Sequence, residues 1–278
     1  MPVLQHTEKM FEINEELFTI KKYKVNGKYT AERATKHEEI TYLRISQTVS
    51  DENPSAALVG GGSGAGKSTI IKQYFAPELD KLQPTSDFVY IDSDDIKKEI
   101  EEFKEYCQSC DENTVYLAAF YVHGESTDIA DMLIEECTNQ KLSFIYDGTM
   151  QWKPQYDALI PKLKTNGYEL TGVYIDVDVE KAIERVKTRG KKEKRHVPED
   201  IVRRANLNSA INFSLLESEF DSVLMFNNTA DLTEDEAKEP ILPFYEREQP
   251  AKELFEGTIL IEEFFNLFIE KSTMTYIE

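Results

Sequence analysis

The sequence predicts a doubly wound α/β fold: a mostly parallel sheet of about five strands flanked by helices on both faces. Three observations predict it. Short apolar runs alternate with longer helical stretches, which is the order that parallel βαβ units require. The apolar runs are brief enough for buried strands and are bounded by polar or glycine residues. Residues 61–69 read GGSGAGKST, a glycine-rich turn set between one such run and a helical stretch.

Taken in order, residues 1–50 are polar and helical in parts, and are expected to form an N-terminal helical segment packed on the core. Residues 56–60 (AALVG) make the first strand, and IIKQYF after the glycine turn continues as a helix. Residues 88–91, 144–146, 172–175 and 223–226 are the other strands, each short and mostly apolar. Residues 96–107, 127–137, 154–166 and 179–188 read as helices between them. Pro198 opens a further long helix, because proline is tolerated in a first turn. Residues 51–230 thus form the expected core domain. Residues 231–250 are acidic and contain proline, which suits a surface connection. They begin a C-terminal extension, 231–278, that closes with an amphipathic helix over 259–269.

Charge narrows the function classes. Against 32 basic residues stand 52 acidic ones, and a formal charge of −20 disfavours nucleic acid or an anionic membrane as the main partner. No apolar run is long enough to span a bilayer, and the first residues lack the profile of a signal peptide, so a cytoplasmic protein is expected. Cys107 and Cys110 form a single spaced pair beside Cys137, without the second pair or histidines that zinc needs, so reduced structural thiols are expected.

The glycine-rich turn carries the chemistry. Gly61, Gly62, Ser63, Gly64, Ala65, Gly66, Lys67, Ser68 and Thr69 satisfy the phosphate-loop pattern of a P-loop NTPase fold. Glycines let backbone N–H groups close around phosphate, Lys67 reaches the outer phosphates of ATP, and the Ser68 hydroxyl serves Mg2+. Ligands of parallel sheets gather beyond the carboxyl ends of strands. There the second strand ends in Asp92-Ser93-Asp94-Asp95 and the third in Asp147-Gly148-Thr149. Such carboxylates can hold magnesium through water or take the proton of an attacking hydroxyl, and they can equally cap a helix. For Asp95 the cap is the preferred reading. A basic stretch follows: Arg185, Lys187, Arg189, Lys191, Lys192, Lys194 and Arg195. Of these, Arg189 and Arg195 are the candidates for a lid, near 185–198, that neutralises charge on a transferring phosphoryl group.

Assembled in this order, the chain resembles the zeta-toxin family of P-loop kinases, whose bacterial members phosphorylate UDP-N-acetylglucosamine. The resemblance runs over roughly residues 29–230, through Asn53-Pro54-Ser55-Ala56, Ile91-Asp92-Ser93-Asp94, His123-Gly124-Glu125-Ser126 and Asp147-Gly148-Thr149. It implies Asp94 as general base, Glu125, Asp147 and Thr149 as substrate contacts, and Arg189 and Arg195 on the ATP phosphates. Asp92 is the second expected magnesium-side residue, with Ser68. The acceptor implied is a small molecule, a UDP-sugar or something nucleotide-like, and a toxin with a protein inhibitor is the family's setting.

Two other classes share these features. A nucleoside, nucleotide or polynucleotide 5′-hydroxyl kinase also has a phosphate loop, an aspartate after the second strand and an arginine lid, although the acidic surface argues against a polynucleotide. A nucleotide-dependent switch needs only the loop, but its usual guanine-selecting Asn-Lys-x-Asp sequence is missing.

Overall fold

All five apolar runs are extended and lie side by side. The computed structural model describes residues 3–6, 9–76, 85–193, 197–230 and 242–247. An N-terminal part comprises β1 (Val3–His6), β2 (Lys9–Glu12), α1 (Thr19–Tyr23), β3 (Lys24–Val25), β4 (Lys28–Tyr29) and α2 (Ala31–Ile45). The chain then enters the sheet with β5 (Ser55–Gly60), α3 (Lys67–Phe75) and β6 (Val89–Ile91). Four helices follow: α4 (Ser93–Ile96), α5 (Glu101–Cys107), α6 (Glu112–Tyr121) and α7 (His123–Gln140). The rest is β7 (Phe144–Asp147), α8 (Lys153–Thr165), β8 (Glu169–Asp176), α9 (Val179–Glu193), α10 (Glu199–Leu216), β9 (Ser222–Asn227) and β10 (Tyr245–Arg247).

The sheet order is β10-β9-β8-β5-β7-β6. The five expected strands are parallel, and β10 adds an antiparallel edge against β9. Because side chains alternate across a strand, β5 feeds two cores. Ala56 and Leu58 pack on one face with Leu133 and Phe213, whereas Ala57 and Val59 pack on the other with Ile71 and Val186. Burial on both faces is why the strand reads as an unbroken apolar run. The register pairs Val59 with Asp147 on one side and with Val173 on the other, which sets Asp147 level with the start of the phosphate loop.

Several boundaries differ from the sequence reading. The helix expected over 96–107 is broken: Asp92 caps a helix that starts at Ser93, a 3-10 turn covers Lys97–Glu99, and Ile100 is extended and buried before α5 begins. Helix α6 was not anticipated; Asp111 starts it by accepting hydrogen bonds from the backbone of Asn113 and Thr114. Helix α7 begins four residues early, at His123, and α9 runs on to Glu193. Pro198 is the N-cap of α10 rather than a first-turn residue. Residues 3–6 and 9–12 pair as antiparallel strands where helix was expected. The terminal helix expected over 259–269 lies outside the described residues. No helix among the described residues is long and apolar enough to cross a membrane.

Candidate active site

The phosphate loop is shaped by backbone that only glycine adopts without strain. Gly61, Gly64 and Gly66 have φ of 138°, 85° and 79°. A Cβ on Gly64 would stand 2.4 Å from the Ala182 carbonyl oxygen of α9, so the loop lies hard against that helix. Three side chains from later in the chain fix its course. Ser209 Oγ accepts from the Gly61 amide at 2.7 Å, and Asn206 and Asn228 donate to the carbonyls of Ser63 and Ala65 at 3.2 and 2.7 Å. None of the three carries a sequence signal, since each is defined only by where α10 and the end of β9 pass.

Lys67 and Ser68 begin α3 and meet Asp147 at the end of β7. Ser68 Oγ donates to Asp147 Oδ2 at 3.2 Å, Tyr90 donates its hydroxyl to the same oxygen at 2.7 Å, and Lys67 Nζ lies 3.9 Å from Oδ1. Asp147 Oδ1 is buried and makes no hydrogen bond. Such an atom is costly unless a ligand completes it. Burial, and the Asp147 carboxylate beside it, push the Tyr90 hydroxyl well above its ordinary range, so it stays a donor.

The other acidic cluster divides its roles. Asp92 accepts the Asp94 amide at 2.8 Å and caps α4, so the residue expected beside magnesium is also the helix cap. Asp94 faces the cavity and is paired with Lys97 at 2.7 Å. Asp95 is not the cap; it turns to the opposite side and pairs with Arg44 of α2 and with Lys98, at 2.9 and 2.8 Å. Lys97 is a site residue that the sequence reading missed, although its spacing of three from Asp94 was the available signal. Burial pushes its ammonium down to about 8, with Asp92 opposing and Arg189 assisting.

These groups open into one cavity of about 850 Å³, walled by the phosphate loop, Asp92, Asp94, Lys97, Asp147, Thr149 and Arg189. Arg189 has a buried Nε with no hydrogen-bond partner. Thr149 lies where its carbonyl accepts from Gly61 at 3.4 Å, and next to it Met150 holds a left-handed φ of 56° secured by Asn212, which donates to the Met150 carbonyl. The far wall is more aromatic, with Phe120, Tyr146 and Trp152, and polar groups on Gln151, Gln155 and His123. Desolvation by the surrounding protein, with Lys97 nearby, shifts the His123 imidazole below its ordinary value, although the residue is still exposed at the cavity wall.

Of the expected residues, one falls where nothing is described and one is turned away from the cavity. Arg195 lies outside the described residues. Glu125, expected to touch substrate, is fully buried on the inward face of α7 and does not line the cavity. Its carboxylate accepts from Arg33, and His37 Nε2 lies 2.6 Å away. Arg33 also donates to Glu102 at 2.6 Å, and Tyr23 hydrogen-bonds Glu102. Although burial alone would raise Glu125, hydrogen bonds from His37 and Arg33 hold it down to about 2.

Comparisons with known proteins agree with this geometry. The zeta toxin family model matches residues 40–236. A structure from the PezAT chromosomal toxin-antitoxin system of Streptococcus pneumoniae superimposes with a TM-score of 0.59 at 17% identity, covering 88% of this chain and 98% of that one. The AvrRxo1-ORF1:AvrRxo1-ORF2 complex with sulphate ions gives a TM-score of 0.56 at 18% identity over 73% of this chain and 66% of that chain. A curated relative, the calmodulin calcium-dependent NAD kinase of Arabidopsis thaliana, is 32% identical over 108 residues, which is 39% of this chain. The matched stretch spans only 20% of that relative's length. A family match that runs from α2 past β9, through every group on the phosphate side of the cavity, means that the chain belongs to the zeta toxin family.

Proposed function

We propose that the protein transfers the γ-phosphoryl group of ATP to a hydroxyl of a small, nucleotide-bearing acceptor, with UDP-N-acetylglucosamine the first candidate. The observation that carries this reading is that one cavity joins the phosphate loop to Asp94, a carboxylate at the next strand end. Lys67 and the loop amides hold the outer phosphates, and Arg189 offers its unpaired Nε to charge that spreads over the equatorial oxygens. Asp94 accepts the proton of the acceptor hydroxyl while the new O–P bond forms, and the bond from the γ-phosphorus to the β-bridging oxygen breaks, releasing ADP. Arg195 is proposed as the second lid arginine on the same phosphates.

Magnesium fits beside Ser68 and Asp147, because Asp147 presents a buried oxygen without a hydrogen bond next to the loop hydroxyl. Asp147 is therefore proposed on the magnesium side with Ser68, alongside Asp92, which lines the same cavity, in addition to its place near substrate. Among the described residues no group of three His, Cys, Asp or Glu side chains is placed to hold a metal, which suits an ion completed by water and phosphate. When bound, the ion would neutralise charge on the phosphate oxygens. Thr149, on the same strand end, is proposed to contact the acceptor.

The AvrRxo1-ORF1:-ORF2 complex has also been determined with ATP, which supports the donor. A second acceptor, NAD, is favoured by the NAD kinase relative. The toxin-antitoxin neighbour supports a toxin held by a protein inhibitor. A labelled-ATP assay over UDP-sugars, NAD, nucleosides and oligonucleotides tests the reading. Transfer to a nucleotide-bearing acceptor is expected, with Asp94→Asn keeping Mg-ATP affinity and losing about a hundred-fold or more in rate. Nucleotide hydrolysis with no transfer to any acceptor would favour a switch instead.

A further inference from the structure

The short acidic helix α4 and the 3-10 turn that follows it share two aspartate–lysine pairs of the same spacing and opposite burial. Asp95 and Lys98 meet at 2.8 Å with the lysine side chain 69% exposed, on the side where Arg44 also lies. Asp94 and Lys97 meet at 2.7 Å with the lysine side chain only 7% exposed, in the cavity wall. The outer pair is an ordinary surface ion pair and adds little. The inner pair is different: a lysine usually carries its charge out to water, and keeping the ammonium inside costs desolvation that an apolar side chain of similar length would avoid.

We propose that Lys97 is a positioning residue for phosphoryl transfer, holding Asp94 by its Oδ1 so that Oδ2 meets the acceptor hydroxyl in a fixed plane. This inference rests on the kinase reading of the same cavity. Three features of the chain support it. The backbone changes from α-helix at Asp94 to a 3-10 turn at Lys97, and the tighter turn brings the two side chains onto one side. Asp92 caps the helix through the amide of Asp94 itself, so backbone and side chain of the base are both held. Buried Ile96 and Ile100 anchor the turn on either side of Lys97. In the transfer step Lys97 gives up no proton: the acceptor's proton passes to Asp94 Oδ2 as the O–P bond forms, and the ammonium keeps the carboxylate from swinging away.

The test compares Lys97→Ala, Lys97→Arg and Lys98→Ala on whichever acceptor the wild-type protein phosphorylates. Lys97→Ala is expected to lower kcat about a hundred-fold, the usual cost of a misplaced reacting group, with the KM for Mg-ATP unchanged. Lys97→Arg is expected to keep most of the rate, and ethylammonium added to Lys97→Ala to restore part of it, while ethanol, neutral and of similar size, does not. Lys98→Ala should match the wild type. Lys97→Ala turning over within about threefold of the wild type would overturn the inference. So would a loss confined to Mg-ATP affinity, or a loss that neither arginine nor ethylammonium repairs. A wild-type protein that phosphorylates no acceptor is a separate result and defeats the kinase reading itself.

Discussion

Asp147 and Glu125 are both buried carboxylates in short motifs, yet their surroundings give them different work. Glu125 is surrounded by donors: both oxygens accept from Arg33, and His37 reaches one of them. The cluster extends through Glu102 to Tyr23, whose ring lies 4.2 Å from the Arg33 guanidinium carbon, and so joins α2 and the segment before it to α5 and α7. Asp147 has one oxygen occupied by Tyr90 and Ser68 and another with no hydrogen bond, facing the cation of Lys67 at 3.9 Å. Burial is shared by the two, and so does not separate structure from function. What separates them is completion: a satisfied buried carboxylate stabilises the fold, whereas an incomplete one beside a cavity is set for a ligand.

The sharpest way to break this comparison is to neutralise each carboxylate in turn. Glu125→Gln leaves Arg33 without one of its two anions in a region closed to water, and removing one partner of a buried pair costs about 3–5 kcal/mol. Denaturant unfolding should show that loss, while the folded fraction keeps its affinity for Mg-ATP. The same residue sets an acid dependence. Its pKa is about 2 in the folded protein against 4.5 for an ordinary glutamate, so its contribution is complete above pH 4.5 and is lost as pH falls towards 2. Glu125→Gln should flatten that part of the stability profile. A variant with full stability and weakened acceptor binding would return Glu125 to the substrate.

Asp147→Asn is the reverse case. Removing a desolvated charge should leave the melting temperature unchanged or higher, while turnover falls by about a hundred-fold, because charge at the phosphoryl site is lost. Measuring both on one preparation decides it. Large destabilisation with retained turnover would make Asp147 a structural residue like Glu125.

Much of the phosphate side was legible because it is local. The loop, the strand before it and the helix after it are contiguous, so spacing alone placed Lys67 and Ser68, and the acidic strand ends placed Asp94 and Asp147 at the cavity. Glu125 sits away from the cavity wall for a physical reason: its motif opens a helix, and a linear motif does not say which face of α7 turns inward. Asp95 was assigned the cap that Asp92 holds, because both lie within reach of the first turn and only the backbone at Ser93 decides between them. The residues that pin the loop, Asn206, Ser209 and Asn228, come from segments more than a hundred residues away, where pattern carries no information about contact. The strand pair β1–β2 escaped for want of alternation strong enough to outweigh its charged residues.

The finest test of the comparison is Tyr90→Phe. Tyr90 is a buried strand residue of β6 whose ring packs in the core, so its sequence position reads as apolar filling. Its hydroxyl, however, donates to the same Asp147 oxygen that Ser68 contacts, and thereby orients the carboxylate whose other oxygen makes no hydrogen bond. Phenylalanine keeps the ring and deletes that one donor, leaving the core filled. If Asp147 holds magnesium, losing an orienting partner should weaken the ion about tenfold, seen as a higher magnesium concentration for half-maximal turnover, with the rate recovering at saturating metal. If Asp147 were instead a structural carboxylate, Tyr90→Phe would lower the melting temperature and leave the magnesium dependence where it was. The two readings thus move different axes of one titration, and a shift in magnesium demand without a change in melting is the outcome expected of an incomplete, ligand-ready carboxylate.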